Sequence, residues 1–169
     1  MRNSLIGLAM SALLATAPAH AVINSFVAFL HGTNETPAAG DPDGFGIATV
    51  IIDTSASTAS WSILANNIDM PLTGAHIHTG AAGVAGPVIV NFSAQLSGNG
   101  LFDTDLASIT SANAASFYVN LHNAAFPGGA VRGQLAFIGS VVPEPGTYGL
   151  MLLGLGAVGW LVRRRRIEA

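Results

Sequence analysis

His76 and His78 are the residues of this 169-residue chain whose type and spacing point most directly to chemistry. They stand in Ala75-His76-Ile77-His78-Thr79-Gly80, which reads as the end of a β-strand entering a loop of small residues, with a returning strand from Pro87. On a strand, residues two apart leave the same face with Cα atoms about 6.6 Å apart. Two imidazole nitrogens at that spacing can meet on one ion at about 2.0 to 2.1 Å, and His122, ending a separate predicted strand, would supply a third. Imidazole donors suit zinc or copper better than calcium or magnesium. The competing reading is structural: histidines at a strand end beside Thr79 and Gly80 hydrogen-bond to loop carbonyls and hold two hairpins together. No carboxylate stands at fixed spacing to orient the rings, so the sequence favours the structural reading, with no cofactor expected and zinc or copper as the alternative. His31 is a weaker candidate.

Other chemistries find little to stand on. Arg132 is the one basic residue between positions 22 and 142, and a bidentate pair with Glu35 would pin the first loop to the last strand. The chain has no Gly-x-Ser-x-Gly turn and no suggestively spaced acid pair, and the glycines at 80, 83 and 86 lie between strands instead of opening a helix. Asp41-Pro42-Asp43-Gly44 reads as a turn, because it lacks the later oxygens a calcium loop needs. The absence of cysteine excludes thiol catalysis and disulfides. Trp61, Tyr118 and Phe126 are the candidates for a carbohydrate-stacking platform, and Trp61 is assigned to the core. No catalytic residue is expected.

The elements that must position the histidines are short strands. Asn24 to Leu30, Gly46 to Asp53, Thr58 to Asn66, the hairpin around residues 75 to 92, Ala94 to Phe102, Phe117 to His122 and Val131 to Ile138 all read as extended. Asp103-Thr104-Asp105 followed by Leu106, Ile109 and Ala112 predicts one short helix near 105 to 113. About eight strands with Gly/Pro turns argue for an all-β protein, an antiparallel β-sandwich of Greek-key type.

Both ends lie outside that domain. Arg2, an apolar run from Leu5 to Ala17 and the small-x-small site Ala19-His20-Ala21 make residues 1 to 21 a signal peptide for signal peptidase. Residues 146 to 162 are uncharged and precede Arg163, Arg164, Arg165 and Arg166, which predicts a C-terminal transmembrane helix held by its arginines on the cytoplasmic side. Beside such a helix the arginine run is topological, and nucleic acid is excluded as a partner. Residues 22 to 142 carry seven acidic side chains against Arg132, a formal charge of −6 that the whole-chain value of −3 conceals.

Pro143-Glu144-Pro145, the apolar helix and the arginine cluster together resemble the PEP-CTERM sorting signal of Gram-negative bacteria. The resemblance implies secretory export, a membrane-anchored precursor, processing by an exosortase, and a cell-envelope surface or extracellular destination near exopolysaccharide. Three further segments resemble the CHRD domain, first described in chordin and widespread in bacterial secreted proteins. They are Asn34-Glu35-Thr36-Pro37; Ala75 to Gly80 with Gly86-Pro87-Val88; and Tyr118-Val119-Asn120-Leu121-His122 with residues 127 to 135. This second resemblance implies an immunoglobulin-like β-sandwich over residues 22 to 140, followed by the sorting tail at 141 to 169, and an extracellular binding role. Ala130 departs from the family pattern, which usually carries an acid there. The His-x-His strand is also loosely similar to the copper site of superoxide dismutases, without their cysteines or bridging residues. The expectation is an exported, exosortase-sorted structural or binding module of the cell surface or extracellular matrix, with no catalytic activity, whose partners are exopolysaccharide or extracellular protein. A zinc or copper protein is the alternative.

Overall fold

The computed structural model describes residues 22–101, 106–142 and 147–167. The expected signal peptide and the Pro143-Glu144-Pro145 run lie outside these residues, as do Asp103 and Asp105. Among the described residues the chain forms β1 Ile23–His31, β2 Phe45–Asp53, β3 Thr58–Asn66, β4 Leu72–Thr79, β5 Val88–Asn91, β6 Ser97–Leu101, β7 Phe117–Asn123, β8 Val131–Gln134 and β9 Ala136–Val141. A helix, α1 Thr147–Ile167, belongs to a separate unit. The helical segment expected near 105 to 113 contains the 3-10 turn Leu106–Ser108, and a second such turn, Ala114–Ser116, leads into β7.

Every strand pairing is antiparallel, in the order β5-β4-β7-β8-β1-β2-β3-β6, with β9 also beside β1. The sheet curls at β1, whose one edge is shared: β8 meets it at His31↔Arg132, while β9 follows it from Val27 back to Ile23. The single strand expected over Val131 to Ile138 is therefore divided at Leu135, whose N–H still donates to the Phe117 carbonyl of β7 before β9 pairs with β1.

Period-two alternation produces the core. Phe26, Ala28 and Leu30 of β1, Ala48, Val50 and Ile52 of β2, and Ala59, Trp61 and Ile63 of β3 all turn inward. Ala75 and Ile77 of β4, Val119 and Leu121 of β7 and Val131 of β8 meet them in one apolar cluster. Trp61 stacks on Phe92 with ring centroids 4.4 Å apart and planes at 15°, and its indole N–H donates to the Gln95 carbonyl at 3.0 Å. Gly98, opposite Trp61 in β6, makes room for the indole, because a Cβ there would lie 2.7 Å from Trp61 Cζ2.

In α1 the four arginines continue the helix, and Arg164 lies 5.5 Å over the Trp160 ring. Only the part from Thr147 to Val162 is free of charge, about 24 Å at 1.5 Å per residue, against a hydrocarbon layer of about 30 Å. Among the described residues no helix is long and apolar enough to cross a membrane, so the expected transmembrane helix is not confirmed.

Deleting a buried ring should test the core directly. Phe92→Ala is expected to cost about 3 to 5 kcal/mol in urea unfolding. Phe29→Ala, at a side chain 63% exposed on the outer face of β1, should stay within about 0.5 kcal/mol.

Candidate metal centre

While Ala75 and Ile77 of β4 point into the core, Gly74, His76 and His78 occupy the opposite face. Tyr118, Asn120 and His122 do the same in β7, with Val119 and Leu121 between them facing inward. The β4–β7 register places Gly74 opposite His122, His76 opposite Asn120 and His78 opposite Tyr118. All three expected histidines therefore meet on one patch of the outer face. Ring centroids are 5.5 Å apart for His76 and His78, 5.0 Å for His76 and His122, and 6.0 Å for His78 and His122. One nitrogen from each ring lies within 4.8 Å of the other two. His31, exposed at the end of β1, stands outside this group.

Two loops orient the rings. His78 Nδ1 is 2.9 Å from the Gly86 carbonyl, and His122 Nδ1 is 3.0 Å from the Pro127 carbonyl. A carbonyl oxygen only accepts, so both Nδ1 atoms carry the proton and both Nε2 atoms carry the lone pair. Those two Nε2 atoms are buried without a hydrogen-bond partner, as is His76 Nδ1. An N–H fixed on a backbone carbonyl with the other nitrogen directed to a shared point is the arrangement that holds imidazole ligands around a metal.

Gly74 makes the approach possible, although sequence reasoning passed over it. A Cβ at this position would stand 2.7 Å from His76 Cε1 and 3.2 Å from His122 Cδ2. A glycine inside a strand, two residues before the first histidine and immediately after the register shift that follows Leu72, is the signal of such a close approach.

Electrostatics keep the rings neutral. Burial, reinforced by His122 and His78, pulls His76 from 6.5 down to about 4. Burial also lowers His78, against the Gly86 hydrogen bond, and lowers His122, against the Pro127 hydrogen bond. Neutral imidazole is the form that donates a lone pair.

Around the histidines lie the other buried groups of this face. Tyr118 stacks on His78 at 4.9 Å and 10°, and the Arg132 guanidinium sits 3.4 Å over the Tyr118 ring. The expected Glu35–Arg132 fork is not what forms. Glu35 Oε2 accepts from Asn120 Nδ2 at 3.4 Å, the hydrogen bonds of Arg132 go to Gln134 and to the Ala81 and Val84 carbonyls, and the two charges interact through space alone. Burial outweighs that attraction and pushes Glu35 from 4.5 up to about 7. Ala130 is fully buried, so this position presents a methyl group and no carboxylate. Tyr118 and Trp61 are buried too, which removes two of the three aromatic rings considered for a carbohydrate platform.

An antiparallel β domain bearing a three-histidine cluster on its outer face is the class that fold and site define. A family model for the CHRD domain matches residues 26–135, and the chain belongs to that family, a non-enzymatic domain type. Residues 141–166 match the PEP-CTERM protein-sorting motif, which marks an exported precursor processed by an exosortase. No curated protein and no solved structure matches the chain.

The opposed shifts make stability depend on pH in two directions. For the histidines, whose pKa values are depressed, the contribution is complete above 6.5 and is lost as pH falls, for His76 towards about 4. Glu35, raised, contributes below 4.5 and loses that contribution as pH rises through about 7. Thermal unfolding of metal-free Glu35→Gln should therefore show a larger gain over wild type at pH 8 than at pH 5. Equal gains at both would contradict the placement of this carboxyl.

Proposed function

We propose that this protein is an exported surface module whose CHRD domain holds one transition-metal ion, zinc or copper, on His76, His78 and His122. Two observations carry the reading together: each of the three rings has one buried nitrogen without a hydrogen-bond partner, and one nitrogen from each ring lies within 4.8 Å of the other two. Hairpin bonding alone accounts for one nitrogen each of His78 and His122 and leaves the inward-facing nitrogens unexplained. A metal ion satisfies all three at once, and an all-imidazole donor set suits zinc and copper. Three protein ligands leave a fourth position open to water or to a ligand from outside. The apolar cluster shared by the β5-β4-β7-β8 and β1-β2-β3-β6 halves supports an immunoglobulin-like sandwich as the carrier. The sorting motif supports a membrane-held precursor and a final place at the cell surface or in the extracellular matrix.

The full-length chain should carry close to one zinc or copper per molecule by elemental analysis. Zinc at about 100 times its Kd should stabilise it by about 2.7 kcal/mol, and both effects should vanish in His76→Ala/His78→Ala. Wild-type protein that takes up no metal and melts at an unchanged temperature would remove the proposal. Gly74→Ala, which keeps all three ligands but crowds two of them, should weaken zinc binding at least tenfold, a loss on the order of 1.4 kcal/mol.

A further inference from the structure

Arg132 is 1% exposed, and none of its hydrogen bonds reaches a carboxylate. Its Nη2 donates to the carbonyls of Ala81 and Val84, each at 2.9 Å. Both carbonyls belong to the Gly80-Ala-Ala-Gly-Val-Ala-Gly86 loop between β4 and β5, whose small side chains offer little packing of their own. Gln134, a hydrogen-bond partner of Arg132, ties the start of that loop by donating from Nε2 to the Gly80 carbonyl at 2.9 Å. Gly86 closes its other end. The Gly86 N–H donates to the Tyr118 hydroxyl at 3.2 Å, and the Gly86 carbonyl accepts from His78 Nδ1. Arg132 thus reaches His78 by two routes, through the loop it clamps and through the Tyr118 ring it covers.

We infer that Arg132 is a positioning residue of the histidine cluster: by fixing loop 80–87 and Tyr118 it keeps the proton of His78 on Nδ1 and turns Nε2 towards His76 and His122. The inference rests on the proposed metal centre for its consequence, but the tautomer it predicts exists without any metal. His122 takes its orientation from Pro127, outside this clamp, and serves as the internal reference.

Nitrogen-15 NMR of the histidine rings in metal-free full-length protein, together with zinc affinity from chelator competition, tests it. Arg132→Lys keeps the charge but loses the fork that spans Ala81, Val84 and Gln134. It should shift His78 away from the Nδ1–H tautomer, leave His122 unchanged and weaken zinc binding about 10- to 100-fold. General loosening would instead disturb both rings alike, and that result overturns the inference. So does a His78 that stays Nδ1–H with zinc affinity within about twofold of wild type. If Arg132→Lys does not fold, Tyr118→Phe decides in its place: it removes the acceptor for Gly86 N–H, and the same selective change at His78 is expected. A wild type that binds no zinc, combined with a shifted His78 tautomer in the variant, would reject the metal centre and uphold the role of Arg132.

Discussion

A neutral imidazole has one N–H and one lone pair, and three of them packed together repel or waste one another unless something outside decides which nitrogen carries the proton. Here the carbonyls of Gly86 and Pro127 make that decision for His78 and His122. The rest of the domain reads as the means of holding two loop carbonyls against two strand histidines. β4 and β7 must pair so that His122 falls opposite Gly74, and Gly74 must lack a side chain for the rings to approach. The loops after β4 and β7 must each return so that a carbonyl lands behind a ring.

The strands bear two incompatible surfaces, and alternation separates them. Ala75, Ile77, Val119 and Leu121 contribute to the apolar core, and the residues between them carry the histidines, Tyr118 and Asn120. The outer polar face is itself covered, which is costly unless its groups find partners. Glu35 Oε1, His76 Nδ1, His78 Nε2, Asn120 Oδ1, His122 Nε2 and Arg132 Nη1 are the buried side-chain atoms without a hydrogen bond among the described residues, and all lie in this neighbourhood. A protein keeps such groups together where they act on something, and three of the six are ring nitrogens, one from each histidine of the cluster.

Much of this was legible in the residues. Alternation in β2 and β3 identifies both strands, and Thr58–Asn66 has the bounds the pattern predicts. His76 and His78 share a face because the strand period is two, and Tyr118-Val119-Asn120-Leu121-His122 repeats the same polar and apolar alternation. What spacing does not reveal is the partner of Arg132. Charge logic points to Glu35, whereas the guanidinium settles on backbone carbonyls 51 and 48 positions away, acceptors that every residue possesses and no sequence marks. The break at Leu135 is hidden for a similar reason: one edge of β1 is shared by two strands, and that division depends on the curl of the sheet. In the tail, composition separates the apolar stretch from the arginines, but arginine is a good helix former and the helix runs through both.

The most direct test of the central claim is X-ray absorption at the zinc edge on the zinc-loaded full-length protein. Three imidazole nitrogens at about 2.0 to 2.1 Å, with one oxygen from water completing the shell, are predicted for an ion held by His76, His78 and His122. An all-oxygen shell, or a spectrum unchanged by His76→Ala/His78→Ala, would contradict it.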